Sequence, residues 1–127
     1  MSSERFEAGL EIRREVVGAE YVDAAIENAG EFGRPFQEWV TEACWGSSWT
    51  RDALSRRDRS LLVLAITGAL GREAEFRLHV RGAVRNGCTA EEISDTILHT
   101  AVYAGAPAGV TGFKIAQEVL REEGVIA

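Results

Sequence analysis

At 127 residues, with 46% hydrophobic and 27% charged side chains, the chain has the size and composition of a single domain, residues 1–127, with its own core. Its 20 acidic and 14 basic residues leave a formal net charge of −6, which excludes general nucleic-acid binding and demands local positive charge for any small anionic substrate. No apolar run reaches the roughly 18 residues of a membrane span. The charged opening MSSERFEAGLEIRREV lacks the apolar centre of a signal peptide. The expectation is a cytoplasmic protein without a membrane partner.

Helix signals run the length of the chain, and period-2 alternation is absent. Residues 3–15 read as a polar first helix. Residues 18–29 read as a second, with Tyr21, Val22, Ala25 and Ile26 at helical spacing. GEFGRP then breaks the chain, and Pro35 suits the first turn of a third helix, PFQEWVTEACWG. Residues 46–54 read as a loop. Ser55-x-x-Asp58 resembles a capping box that opens a strong helix running to Gly71. The second half of that helix is apolar almost all round, so it is expected to be buried on every side, which a chain this short achieves by oligomerising. The next helix is REAEFRLHVRGAVRNG, residues 72–87. Thr89-x-x-Glu92 is a second capping box, opening a helix that ends at Gly105. Pro107 starts the last. The expected fold is all-α, a compact bundle of six to seven helices.

At about 100° per residue, Arg72, Glu75, His79 and Asn86 fall within a stripe of roughly 60° on the helix 72–87. Phe76, Val80, Ala83 and Val84 lie beside it, and Arg77, Arg81 and Arg85 lie on the far side. The arginine row is expected to face solvent or to pair with acids of a neighbouring helix. The Arg72/Glu75/His79 stripe has two readings. It is a surface ion-pair ladder, or an acid–base face on which desolvation at an apolar margin tunes Glu75 and His79.

His99 sits among Ile97, Leu98, Ala101 and Val102, which reads first as a satisfied core histidine and second as a pocket residue. Tyr103, one turn on, packs or supplies a hydroxyl. Glu42, flanked by Trp39 and Trp45, is a surface acid beside packed aromatics or a partly buried carboxylate with a functional role. Trp45 and Trp49 wall a cavity or close a subunit interface. Cys44 and Cys88 form no CxxC pair and are expected to be free thiols. The two histidines have neither HxxH nor HExxH spacing, so no metal site is expected. GxGxxG, P-loop and GxSxG motifs are absent.

Trp45-Gly46 with Trp49, Ser55-Arg56-Arg57, Leu78-His79 with Asn86-Gly87, and Tyr103-Ala104-Gly105 with Pro107-Ala108 resemble, in order and spacing, the carboxymuconolactone decarboxylase family. The resemblance covers about residues 5 to 120. It implies an all-α fold shared with the alkyl hydroperoxidase D group, assembled as homotrimers or homohexamers. In that group the helix matching 72–87 carries a CxxC and, four residues later, a histidine. Here Arg72 and Glu75 take the cysteine positions and His79 the histidine position. Thiol peroxidase or disulfide chemistry on this helix is thereby excluded, because no attacking or resolving thiol stands there.

The resemblance further implies cofactor-free decarboxylation of 4-carboxymuconolactone to 3-oxoadipate enol-lactone and CO2, a step of protocatechuate catabolism. For that chemistry the candidate catalytic residues are His79, to donate a hydrogen bond or proton to the developing enolate, and Glu42 or Glu75, to orient His79 or deliver the proton to carbon. Arg51 or Arg72 would grip a substrate carboxylate, Trp45 and Trp49 would wall the pocket, and His99 and Tyr103 would line it. Ala106 stands where the family often has a larger apolar residue, with Gly109 and Gly112 nearby. This is expected to loosen one wall and leaves room for a different lactone or keto acid. A non-enzymatic oligomeric binding protein is a further alternative.

Overall fold

A computed structural model describes residues 3–127. The described residues form six α-helices and one π-helical turn, with no strand among them. The all-α expectation therefore holds. The chain forms two compact units, one ending at Ser55 and the other running Arg56–Ala127.

In the first unit, α1 spans Glu4–Val17 and α2 spans Ala19–Val40. Ser3 caps α1 by accepting a hydrogen bond from the Phe6 amide at 3.0 Å, and Glu4 and Glu7 complement the helix dipole in the first turn. α2 is interrupted only at Gly30 (φ 59°, ψ −162°). The break expected over GEFGRP thus shrinks to a single residue. Gly30, without a Cβ, takes a conformation that L side chains avoid, so the helix turns and restarts at once. Pro35 lies inside the restarted helix rather than opening it.

After Val40 the chain widens into a π-helical turn, Thr41–Trp45, in which the Gly46 amide donates to the Thr41 carbonyl at 2.8 Å. α1 lies directly against it. A Cβ on Gly9 would collide with the Thr41 carbonyl oxygen, and one on Gly46 with the Arg5 carbonyl oxygen. Residues 46–55 are turns and loop, as expected. The interior of this unit is small and partly polar: Arg13, Val16, Val17, Val22, Thr41, Trp45 and Trp49 are buried.

The second unit packs α3 (Arg56–Leu70), α4 (Glu73–Arg85), α5 (Ala90–Ala104) and α6 (Ala106–Glu122) around an aliphatic core that includes Leu64, Val80, Ile93, Ile97 and Val119. The second capping box is present in full: the Glu92 amide donates to Thr89 Oγ1 at 3.1 Å, and the Thr89 amide donates to Glu92 Oε1 at 2.8 Å. The arginine row reads as expected. Arg77 pairs with Glu118 at 2.7 Å and Arg81 with Glu122 at 2.8 Å, both across to α6.

Within one chain α3 is buried on one side: Ser60 and Leu64 face inward, while Leu62, Ile66 and Leu70 are exposed, so the burial expected on every side rests on neighbouring copies. Spaced at i, i+4 and i+8, those three make one stripe that the helices packed on the other side of α3 do not reach. Contrary to expectation, Gly109 and Gly112 do not loosen a wall. A Cβ on Gly109 would stand 2.9 Å from Ala101 Cβ, and one on Gly112 3.0 Å from Ile97 Cγ2. The small residues let α5 and α6 approach closely.

Candidate active site

α4 separates the three residues of the predicted stripe. Its buried side takes Phe76, His79, Val80 and Ala83, at i, i+3, i+4 and i+7. His79 is only 9% exposed. Burial pushes its imidazole from the usual 6.5 down to about 4, because the apolar surroundings disfavour the charged form. The ring is therefore neutral near pH 7. Glu75 and Arg72 are exposed, Arg72 as the residue that precedes the helix. The apolar margin thus buries His79 and leaves Glu75 outside, since Glu75 lies about 100° further round the helix than Phe76. One turn beyond the buried face, Asn86 Nδ2 donates to the Oγ of the fully buried Ser60 at 2.9 Å, tying the end of α4 to α3.

The core reading of His99 is wrong. His99 is exposed and packs edge-on against Tyr103, with ring centroids 5.2 Å apart. Leu98, Val102 and Tyr103 are exposed with it. The inward face of α5 is supplied by Ile93 and Ile97, which leaves His99 and Tyr103 on the outward one. An open cleft of about 310 Å³ in the second unit is lined by Leu70, Glu73, Phe76, Pro107, Ala108 and Gly112, among others. None of the predicted site residues lines it.

In the first unit, Glu42 is half-buried on the π-helical turn. Its Oε2 accepts a hydrogen bond from Ser3 Oγ at 2.6 Å. π-Helical turns inside α-helices recur at functional sites. Trp45 and Trp49 are buried and stacked, with centroids 4.9 Å apart, while Arg51 lies exposed in the following loop. Phe36 and Trp39 form an exposed aromatic pair at 5.9 Å. Cys44 is exposed and Cys88 buried, both free thiols. Burial pushes the Cys88 thiol up, which makes it a poor nucleophile.

Arg13 escaped the sequence reading. It is a buried guanidinium whose Nη1 donates to Gln37 Oε1 at 2.9 Å and to Thr41 Oγ1 at 3.1 Å. Burial holds its pKa below the ordinary arginine value. The signal was present: Gly9, Arg13, Val16 and Val17 make the buried face of α1, and Arg13 is the charged member of it.

No group of three or more side chains able to hold a metal ion occurs among the described residues. Nor is any described helix long and apolar enough to cross a membrane.

The described helices thus place one buried, neutral histidine on α4, a helix without paired cysteines. Comparison with known proteins carries this to a family. The model of the carboxymuconolactone decarboxylase family matches residues 34–118. The chain is 40% identical over 122 residues to the 4-carboxymuconolactone decarboxylase of Acinetobacter baylyi, covering 96% of this chain and 91% of that protein. It is 42% identical over 119 residues to the nitrosuccinic acid decarboxylase of Metarhizium robertsii, covering 92% of this chain and 82% of that protein. An uncharacterized 15.0 kDa protein of Paracoccus denitrificans is 39% identical over 87 residues, covering 66% of this chain and 64% of that protein. The chain belongs to the carboxymuconolactone decarboxylase family. It is an enzyme of the carboxy-lyase class.

Proposed function

We propose that the chain decarboxylates 4-carboxymuconolactone to 3-oxoadipate enol-lactone and CO2, without a cofactor, in protocatechuate catabolism. The observation that carries this reading is the buried His79, held neutral near pH 7 on α4. In the reaction the bond between the ring carbon and its carboxylate breaks. The electron pair delocalises through the ring double bond into the lactone carbonyl, so the substrate is its own electron sink. A neutral imidazole donates its N–H to the developing oxyanion without surrendering the proton, and such donors usually supply the largest protein contribution. The ring carbon next to the lactone carbonyl, where the delocalised pair collects, is then protonated by a carboxylic acid, which recovers its proton from solvent, and the carbon that lost CO2 stays in the new double bond. Glu42 suits that step better than Glu75, because Glu42 is half-buried and anchored through one oxygen while Glu75 is exposed.

Arg51 or Arg72 holds the retained acetate arm, since the departing carboxylate leaves as neutral CO2 and favours an apolar seat. Trp45, Trp49, His99 and Tyr103 are proposed as further substrate-binding residues. The family match crosses the boundary between the two units, which supports reading residues 1–127 as one domain. The exposed stripes Leu62, Ile66, Leu70 and Leu98, Val102, Tyr103 support assembly as a homotrimer or homohexamer, with these faces covered by neighbouring copies. We place the enzyme in the cytoplasm.

A second reading comes from the nitrosuccinic acid decarboxylase, which matches this chain as well as the lactone enzyme does. In it the chain acts on another small carboxylic acid of specialised metabolism. The two are separated by measuring CO2 release from 4-carboxymuconolactone and from nitrosuccinate under the same conditions. Turnover of the lactone with the larger kcat/KM supports the first reading. Turnover of nitrosuccinate alone replaces it with the second, and release from neither above background sinks both.

A further inference from the structure

We propose that Ser3, at the start of α1, positions the carboxyl group of Glu42 for proton transfer. The inference rests on the reading of Glu42 as the proton donor and adds the residue that aims it. Ser3 Oγ does two things at once: it accepts from the Phe6 amide at 3.0 Å and donates to Glu42 Oε2 at 2.6 Å. The second is a short, charge-assisted bond when Glu42 is ionised, the stronger kind of hydrogen bond. Glu42 Oε1 takes no hydrogen bond from the described residues. One oxygen is thus tethered and the other presented, as a group that gives up and regains a proton requires.

The backbone beneath Glu42 is fixed independently. Gly9 and Gly46 bring α1 and the π-helical turn so close that neither tolerates a Cβ. Arg13 Nη1 reaches Thr41 Oγ1 at 3.1 Å, and Thr41 Oγ1 donates to the Gln37 carbonyl at 2.7 Å. Ser47 Oγ donates to the Glu42 carbonyl at 3.1 Å. The net charge of −6 shows that acids are plentiful in the chain, yet Arg13 is buried against neutral acceptors, with no carboxylate paired to it among the described residues. Burying that cation costs free energy, which the hydrogen bonds to Gln37 and Thr41 offset in part, and through Thr41 those bonds hold the turn that carries Glu42. α1 therefore sets the position of the turn through Gly9 and Arg13, and the side-chain direction of Glu42 through Ser3.

The capping and aiming roles of Ser3 separate by substitution. Glycine caps a helix nearly as well as serine but has no hydroxyl to donate, and threonine keeps both functions. The test measures kcat and KM for 4-carboxymuconolactone, with thermal unfolding, for the full chain and for Ser3→Gly, Ser3→Thr, Glu42→Gln and the Ser3→Gly/Glu42→Gln double variant. Ser3→Gly is expected to lower kcat about tenfold, with KM and melting temperature near the parent values. Ser3→Thr should stay within about twofold of the parent, since the donor is retained. The double variant should be no slower than Glu42→Gln alone, because Ser3 acts only through Glu42. A parental kcat in Ser3→Gly, or equal losses in Ser3→Gly and Ser3→Thr, overturns the inference alone if Glu42→Gln is impaired. A fully active Glu42→Gln, or no turnover by the parent chain, removes the reading beneath it and the inference together.

Discussion

The two units keep their shape by different means. The second, Arg56–Ala127, is a four-helix packing of Leu, Ile, Val and Phe, in which the buried titratable groups are His79 and Cys88. Non-directional burial dominates it, and its ion pairs, such as Arg77–Glu118 and Arg81–Glu122, lie at the surface and add little. The first unit buries few large aliphatics. It depends on backbone approach at Gly9 and Gly46 and on the Arg13–Gln37–Thr41 hydrogen bonds. An aliphatic core tolerates exchange among residues of like volume, whereas a hydrogen-bonded turn depends on atoms at fixed distances. The difference suits the two tasks proposed for them: holding one imidazole dry, and presenting one carboxyl group in a fixed direction.

The largest expected effect strikes the second unit's task. His79→Ala should lower kcat about a hundred- to a thousandfold, the usual cost of losing an oxyanion donor, with the helical circular dichroism unchanged. Parental kcat in a folded variant would remove His79 from the mechanism. Next, each unit is attacked by its own means. Leu64→Ala opens a cavity in the aliphatic core and should cost about 2–5 kcal/mol in urea unfolding. Gly46→Ala adds a single methyl where the Arg5 carbonyl stands and should cost about 3 kcal/mol, with raised amide exchange over Arg5–Trp49. If Gly46→Ala is silent while Leu64→Ala is not, the first unit is not held by close backbone contact.

Acid is a subtler test. His79 has a folded pKa of about 4 against 6.5 unfolded, so the unfolded chain binds the proton more readily. The contribution of His79 is intact above about pH 6.5 and is lost as pH falls toward 4, by about 3 kcal/mol in total. Urea unfolding at pH 7 and pH 4 should show a smaller difference for His79→Gln than for the parent; equal differences would contradict the burial. Smallest is Thr89→Ala, which deletes half of the capping box and should cost about 1 kcal/mol by the same measurement, without altering kcat.

Much of the fold was legible in local signals. The capping box at Thr89, the helix ends at Gly105 and Gly87, and the pairing of the Arg77/Arg81 row all follow from spacing that neighbouring residues enforce. The misread places depend on contacts that spacing does not carry. The length of the break at Gly30 depends on one glycine's conformation, and Pro35 misled because it is compatible with either position. His99 sits on an apolar-looking helix, but only packing decides which apolar face turns inward. Among the candidate site residues, His79 was singled out by its margin position and by the family pattern. Ser3 and Arg13 were missed because their partners Glu42 and Thr41 lie 39 and 28 residues away in the chain.

By itself the sequence determined the helical class, the helix ends from Gly71 onward and the family, because helix periodicity, caps and motif order are encoded within a few residues of each other. It also determined that the helix carrying His79 holds no paired thiols. Only the tertiary structure decided that His79 is buried and neutral while Glu75 and Arg72 face solvent, and that Ser3 reaches Glu42. Desolvation and long-range hydrogen bonds are properties of atoms brought together from distant parts of the chain, and they exist only once the helices have packed.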